Sequence, residues 1–120
     1  LLAQEWRSDG ELSAQQLQLN QAFVLQQAGP WGQGFEEPTF HGRFMLVQQR
    51  VVGEKHLKLV LAHPQTGELV DAIQFNIDTA LWPHTCEQAD LVYRLDINEF
   101  RGRQSLQLMV QHMTPVLAVD

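Results

Sequence analysis

From Phe40 onward the apolar residues of this chain recur with a period of two, and this alternation restricts the possible fold more than any other feature. A period of two is typical of β-strands that bury one face. Turns or irregular stretches separate five such segments, and a two-residue Arg-Gly connection between the last two is typical of a tight hairpin. The predicted strands cover residues 40–52, 56–62, 69–76, 90–100 and 103–112.

The alternation also predicts which side chains face the core. In the first segment the apolar parity changes, because Phe40, Phe44 and Leu46 share one parity while Val47 and Val51 take the other. We therefore expect this strand to change its buried face and to bend, at Gly42 or at a bulge. In the later segments the predicted inward residues are Leu57, Leu59, Leu61, Ile73, Phe75, Leu91, Tyr93, Leu95, Ile97, Leu106, Leu108 and Val110. The predicted outward glutamines are Gln48, Gln49, Gln74 and Gln107.

The first 38 residues have a different character. The stretch "LLAQEWRSDG" is predicted to be a short strand that ends at an Asp-Gly turn. Ser13 and Gln16 have the spacing of a capping box, and Leu12 can pack on Leu17, which predicts a helix from about residue 14 to 27 with Leu17 and Val24 on its apolar face. Ala28-Gly29-Pro30 would end it, and a Gly/Pro-rich loop follows.

Together these elements predict a mainly β fold, a five-stranded OB-fold barrel preceded by a strand and one α-helix. Between strands 3 and 4, Asp78 or Thr79 could cap a short helix, a single turn that carries Leu81 and Trp82. An SH3-like barrel and a small sandwich remain as alternatives. We expect residues 1–38 to form the leading strand, helix and loop, and residues 39–120 to form the barrel.

Composition limits the classes of function. A chain of 120 residues suits one domain with its own core, and the single cysteine, Cys86, has no partner in the chain. No apolar run is long enough for a membrane span, so we expect no membrane partner. Because the chain has no cysteine framework and no signal peptide, we expect a cytoplasmic protein. Because the chain opens with Leu1-Leu2 and lacks an initiating Met, we expect a piece of a longer polypeptide.

The charge is unevenly distributed, although the total is −6. Residues 1–38 hold one basic residue, Arg7, and five acidic ones. Most basic residues instead crowd two short windows that coincide with the predicted loops 1–2 and 4–5. Ligands of OB barrels lie across strands 2 and 3 between these loops. The candidate residues at these loops for contact with a nucleic-acid strand are Arg50, Lys55, His56, Lys58, Asn98, Phe100, Arg101 and Arg103.

Simpler explanations exist for several of these residues. Basic side chains on surface hairpins also increase solubility and discourage edge pairing. Gly102 is explained by a turn that needs a positive φ, and Glu99 could pair with a neighbouring arginine. Among the aromatic residues, Phe100 is the best candidate for stacking on a base, whereas Trp31 and Trp82 would plug the barrel or dock a neighbouring domain. The five histidines and Cys86 show no metal-ligand spacing, so no cofactor is expected in this chain.

Four stretches also carry a resemblance to a known family: "AGPWGQGFEEPTF", "VVGEKHLKL", "DAIQFNIDTALWP" and "YRLDINEFRGRQSLQL". Together they resemble the C-terminal OB-fold domain of bacterial RecJ, a family of single-strand-specific 5′→3′ DNA exonucleases of recombination and mismatch repair. The resemblance implies a nuclease core with an Asp-His-His motif that binds Mn²⁺ or Mg²⁺. This chain contains no Asp-His-His and no Gly-Gly-His. We therefore expect it not to cut DNA by itself.

Two functions are compatible with these observations. In the first, the barrel grips single-stranded DNA for upstream DHH nuclease domains. In the second, it is a protein-interaction module that docks on that core or on a single-strand-binding protein. Trp31 and Phe35 in the Gly/Pro-rich loop are the candidate docking residues, and the acidic leading segment suits a basic surface.

Overall fold

The five predicted strands are present in a computed structural model that describes residues 8–29 and 37–117. They are β1 (Phe40–Val52), β2 (His56–Ala62), β3 (Leu69–Gln74), β4 (Gln88–Phe100) and β5 (Arg103–Val116). The strands are hydrogen-bonded in the order β1-β2-β3-β5-β4, and β4 pairs with β1 to close a barrel. All neighbours are antiparallel except β3 and β5, which are parallel. The predicted barrel architecture is confirmed.

The barrel interior is filled mainly by the side chains that the alternation placed there. Leu57, Leu59 and Leu61 of β2 are fully buried, and so are Leu91 and Tyr93 of β4. Leu95, Leu108 and Val110 are also buried, while Ile97 and Leu106 pack half-buried against them. These predictions are confirmed, as is the burial of Phe40 and Phe44 in β1.

The predicted irregularity of β1 lies at Val47. The pairing of β1 with β2 slips by one residue between Leu46 and Gln48, as a β-bulge requires. The bend is therefore confirmed, and beyond it the inward parity changes as predicted, since Val51 lies opposite the buried Leu57. Val51 nevertheless stays 40% exposed, and the bulged Val47 is 55% exposed.

The predicted inward face of β3 is wrong. Ile73 is half-buried and Phe75 is 49% exposed, whereas Ala72 is fully buried. Residues opposite each other in an antiparallel pair share one face of the sheet. Ala72 lies opposite Leu59, whose side chain is buried in the interior, so Ala72 faces the interior as well. Ile73 and Phe75 consequently point outward.

The described part of the leading segment is attached to the start of β1. The backbone N–H of Asp9 donates to the Thr39 carbonyl at 2.6 Å, and that of His41 donates to Gly10 at 2.9 Å. Ser13 and Gln16 form the predicted reciprocal hydrogen bonds, at 2.9 and 3.3 Å. They close an isolated turn, because the next residues do not continue as a helix.

The helix itself, α1 (Leu19–Gln27), is shorter than predicted. Gln18 has extended backbone angles and interrupts the helix that the capping box would start. The helix ends at the predicted place, with Ala28 as its C-cap. Its buried residue is Ala22, which joins the core, and Val24 is 52% exposed, so the predicted apolar face is wrong at that position. Leu12, Leu17 and Leu25 pack half-buried against the core.

The connection from β3 to β4 contains the single turn that was expected. The Asp78 side chain accepts a hydrogen bond from the N–H of Ala80, and the Asp78 carbonyl accepts one from Trp82. Trp82 is buried in the core, as the plugging role predicts, while Leu81 is exposed. No helix in the described residues is long and apolar enough to span a membrane.

Candidate nucleic-acid interface

The β1–β2 hairpin gathers the first set of predicted residues. Arg50 lies directly opposite Lys58 on the outer face, and Lys55 is exposed in the turn between the strands. Like charges directly opposite each other in a sheet are unfavourable. Among the described residues, no carboxylate lies within salt-bridge distance of these three cations. The hairpin therefore presents three cations that form no ion pair with a described carboxylate, although Glu54 lies in the same turn.

His56 holds the base of this hairpin in place. Its Nδ1 accepts a hydrogen bond from the N–H of Asn76 at 3.2 Å, so the neutral ring carries its proton on Nε2. The Lys55 carbonyl accepts a second hydrogen bond from the N–H of Ile77 at 2.8 Å. Gly53, with φ +63°, lies so close to the imidazole that an added Cβ would be 3.2 Å from Cδ2 of His56. The turn is thus attached to the chain that leaves β3.

The β4–β5 hairpin carries the second set. Phe100 and Arg103 form the last pair before a two-residue turn in which Arg101 has φ +51° and Gly102 has φ +78°. Two positive values are what a type I′ hairpin turn requires. Gly102 has this conformation at no steric cost, but Arg101 adopts it against the preference of its side chain. Asn98 lies half-buried further down β4, opposite Ser105.

The tip of this hairpin is exposed and positively charged. Phe100 is 64% exposed, and the Arg101 guanidinium lies 5.0 Å from the centre of its ring, within cation–π distance. The predicted alternative, in which Glu99 neutralises an arginine, is not found, since no ion pair joins Glu99 to Arg101 or Arg103 in the described structure. Since neither arginine pairs with a described carboxylate, both can meet an anion.

A concave surface connects the two hairpins. One concavity of about 210 Å³ is lined by Gln48, Arg50, Lys58, Leu59, Val60 and Asp71. A second of about 710 Å³ shares Val60 and Asp71 with the first and continues across β3 and β5 to Gln104, Ser105 and Leu106, with Leu17 and Leu69 at its side. We call this continuous surface the cross-strand groove.

The strand register gives the groove its length. Lys58 lies opposite Ile73, and Ile73 lies beside Met109 of β5. Arg103 precedes Met109 by six residues on the same strand, which corresponds to roughly 20 Å at about 3.3 Å per residue. The two basic hairpins therefore lie toward opposite ends of the groove.

The middle of the groove is not basic. Asp71 lies between Val60 and Gln107 in adjacent strands, and Asp96 is the next residue across, opposite Gln107. Carboxylates there repel phosphates, whereas the cations at the two ends attract them. An extended anionic chain would be held at its ends and would turn its less charged parts toward the middle.

The predicted outward glutamines have different positions. Gln48 is exposed and lines the groove, as expected. Gln49 points the other way and pairs with the backbone of His84, donating to its carbonyl at 2.7 Å and accepting from its N–H at 3.1 Å. Gln107 is buried, and the Oε1 atom of Gln74 is buried too. The outward prediction is wrong for Gln49 and Gln74, because the bulge in β1 and the register of β3 reverse their parity. Gln107 does lie in the outer row of the sheet, between Asp71 and Asp96, but it is covered.

The remaining sequence candidates do not add to the interface. Phe44 and Tyr93 are core residues, as predicted, and their rings meet edge-on at 5.6 Å. His84 accepts a hydrogen bond from the N–H of Cys86 at 2.9 Å, and burial raises the pKa of the Cys86 thiol above its usual value. Trp31 and Phe35, the predicted docking residues, lie outside the described residues.

Phe75 is the aromatic residue that sequence reasoning placed wrongly, since it was predicted in the core and is exposed. The signal that could have found it is the β2–β3 connection, whose closing pair is Ala62 and Leu69. Counting back from that pair puts Leu59 opposite Ala72 and Lys58 opposite Ile73, which turns Phe75 outward. Asp71 belongs to the groove by the same count.

The strand order and the groove across β2 and β3 define an OB-fold domain. The family model described as the RecJ OB domain matches residues 8–112. The chain is 53% identical over 110 residues to the single-stranded-DNA-specific exonuclease RecJ of Dickeya dadantii and 50% identical over 117 residues to that of Escherichia coli. It therefore belongs to the RecJ OB domain family.

These alignments cover 91% and 97% of this chain but only 19% and 20% of the two relatives, so the chain spans about a fifth of their length. A crystal structure of Thermus thermophilus RecJ in complex with Mg²⁺ superposes with a TM-score of 0.57. The match has 20% sequence identity and covers 81% of this chain and 16% of the Thermus chain. At this identity the match supports the fold.

The Mg²⁺ of the Thermus structure raises the question of whether this chain could hold a metal ion. Within residues 8–29 and 37–117, no group of three or more His, Cys, Asp or Glu side chains is arranged to do so. Asp71 and Asp96 lie in the same row of the sheet with Gln107 between them and do not form such a group. The described residues do not fit a metal ion.

Proposed function

We propose that this domain binds single-stranded DNA along the cross-strand groove and thereby holds the substrate for a nuclease core in other parts of a RecJ exonuclease. The observation that carries the proposal is the pair of basic hairpins at the two ends of the groove, whose cations have no carboxylate partners among the described residues. Single-strand-binding OB folds combine a basic path for the backbone with aromatic surfaces for the bases. Both components are present here.

The proposed path follows from the charges. Phosphates contact Arg50, Lys55 and Lys58 at one hairpin and Arg101 and Arg103 at the other. Between them the bases lie over Val60 and Leu69, since Asp71 and Asp96 keep phosphates away from the middle. His56 can donate from Nε2 and Asn98 from its amide. Phe100, already in contact with Arg101, offers a stacking surface.

In this proposal the domain supplies affinity for single-stranded DNA, and other domains of the same protein carry out the chemistry. The whole protein would work in the bacterial cytoplasm. Mn²⁺ or Mg²⁺ would belong to upstream DHH nuclease domains. Residues 1–38 would join those domains to the barrel formed by residues 39–120, with Trp31 and Phe35 at the junction. The domain itself would add to the binding of the strand and would carry no catalytic group.

The test is fluorescence anisotropy of a labelled single-stranded oligonucleotide titrated with the 120-residue chain. Lys58→Ala and Arg101→Ala, one at each hairpin, should each weaken binding. Arg43→Gln is the matched control, because it removes the same charge from another part of the barrel. There the Arg43 guanidinium binds Asp90 in bidentate fashion, at 2.8 and 3.1 Å.

Two results would contradict the proposal. Equal losses in all three variants would show that only the net charge matters. An absence of binding at low salt would favour the docking function, in which the domain meets the nuclease core or a single-strand-binding protein. The exposed Leu69 beside the wider concavity is the described feature that suits such a partner.

A further inference from the structure

The exposed ring of Phe75 stands at the end of β3 on the same outer face as the groove. Leu57 lies opposite Gln74, so the next position outward pairs His56 with Phe75. The two rings meet edge-on, with 5.1 Å between their centroids and 75° between their planes. At 49% exposure, Phe75 leaves about half of its surface in contact with water.

The orientation of the Phe75 ring is supported by the neighbouring side chain of His56. His56, which the Phe75 ring meets edge-on, is held by the hydrogen bond that its Nδ1 accepts from the N–H of Asn76. Asn76 itself has φ +56°, so the chain turns sharply away just after Phe75. A ring that is already oriented loses little conformational entropy when a flat ligand stacks on it.

The neighbouring charges indicate the chemistry of that ligand. Lys58 lies opposite Ile73, two residues before Phe75 on the same face, a separation of roughly 7 Å along the strand. Arg50 is next to Lys58, and Lys55 lies in the adjoining turn. An aromatic ring beside a row of cations matches a nucleotide, whose flat base and negative phosphate are separated by the sugar.

We propose that Phe75, braced by His56, is a base-stacking position at the β1–β2 end of the cross-strand groove. This inference rests on the proposed function and adds a residue to it. One nucleotide would place its base on Phe75 and its phosphate beside Lys58. The strand would then have a stacking position at each end of the groove, Phe75 at one and Phe100 at the other.

The test compares Phe75→Leu, Phe75→Trp and the parent chain by anisotropy, with two oligonucleotides of the same length. One carries thymine at every position, and the other has an abasic site at every position and therefore the same phosphates without bases. Phe75→Leu should weaken binding of the thymine strand by about 5- to 140-fold, the range expected for one lost base stack. Phe75→Trp should restore it, and binding of the abasic strand should change little in any variant.

The outcomes separate this inference from the proposed function. If the parent binds the thymine strand and Phe75→Leu binds it equally well, stacking is refuted while the DNA grip stands. If the parent binds neither strand, both are refuted. If Phe75→Leu weakens both strands equally, the ring does not meet a base. A strand carrying 5-iodouracil should also cross-link to Phe75 on irradiation, and a cross-link map without Phe75 would contradict the assignment.

Discussion

Tyr93 allows the packing of the barrel to be tested with one atom. Its ring is fully buried, 5.6 Å from that of Phe44 and 6.2 Å from that of Phe40, and its hydroxyl is buried with no hydrogen-bond partner in the described structure. A buried hydroxyl without a partner costs about 1–3 kcal/mol. Tyr93→Phe keeps the ring and removes this cost. We expect it to raise the free energy of unfolding by about 1 kcal/mol and the Tm by about 3–5 °C.

The same residue predicts a loss of stability at alkaline pH. Burial, and next the negative charge of Glu11, raise the pKa of Tyr93 above its usual value of about 10. In the unfolded chain the hydroxyl ionises near pH 10, so at higher pH the folded state holds more protons than the unfolded state. The contribution of Tyr93 is fully present below about pH 10. Above it, the free energy of unfolding should fall by up to about 1.4 kcal/mol per pH unit.

The assay is urea unfolding of the parent and Tyr93→Phe at neutral pH and above pH 10. The variant should be the more stable at neutral pH, and the difference should widen in alkali. Tyr93 is the only tyrosine in the chain, so tyrosinate absorbance reports on this hydroxyl alone. Ionisation of Tyr93 near pH 10 in the folded parent would refute the reasoning. A Tyr93→Phe variant destabilised by 1 kcal/mol or more would refute it too. Either result would show that the Tyr93 hydroxyl reaches water or a hydrogen-bond partner.

Two further substitutions test the supports of the interface. Gly53→Ala should cost about 1–2 kcal/mol of unfolding free energy, because φ is +63° and the new Cβ would contact His56. Gly67→Ala, with φ +74° and open space around the new Cβ, should cost less unfolding free energy. Equal losses in the two variants would show that contact between the new Cβ at residue 53 and His56 does not matter. Gln49→Ala should cost about 2–3 kcal/mol, because two backbone groups of His84 lose their partner. Gln48→Ala, at an exposed position, should change stability by no more than about 0.5 kcal/mol, and a similar small change at Gln49 would contradict the pairing.

Much of the barrel could be predicted because its strands are long or clearly patterned. Leu57, Leu59 and Leu61 share one parity over a whole strand, and the hairpin turns are marked by Gly53 and Gly102. The basic side chains beside these turns were placed correctly for the same reason. The period of the apolar residues and the residue types at turns depend only on neighbouring positions, so both can be recognised in a single sequence.

The wrong predictions concern residues whose direction or conformation depends on contacts with residues distant in the sequence. β3 has apolar residues at both parities, and only its pairing with Leu59 of β2 determines that Ala72 faces inward and Phe75 outward. Gln49 faces His84 because a bulge shifted the parity of β1. The capping box at Ser13 formed as predicted, but extended backbone at Gln18 delayed the helix. None of these contacts is encoded by neighbouring residues alone.

The most direct measurement of the central claim is the salt dependence of single-stranded DNA binding by the 120-residue chain. The logarithm of the association constant is plotted against the logarithm of salt concentration for the parent and for the double variant Lys58→Ala, Arg101→Ala. Each phosphate contact on a single strand contributes about 0.7 to the slope, so the double variant should have a slope that is shallower by about 1.4. Equal slopes for the two proteins would contradict the claim that these hairpins hold the phosphate backbone.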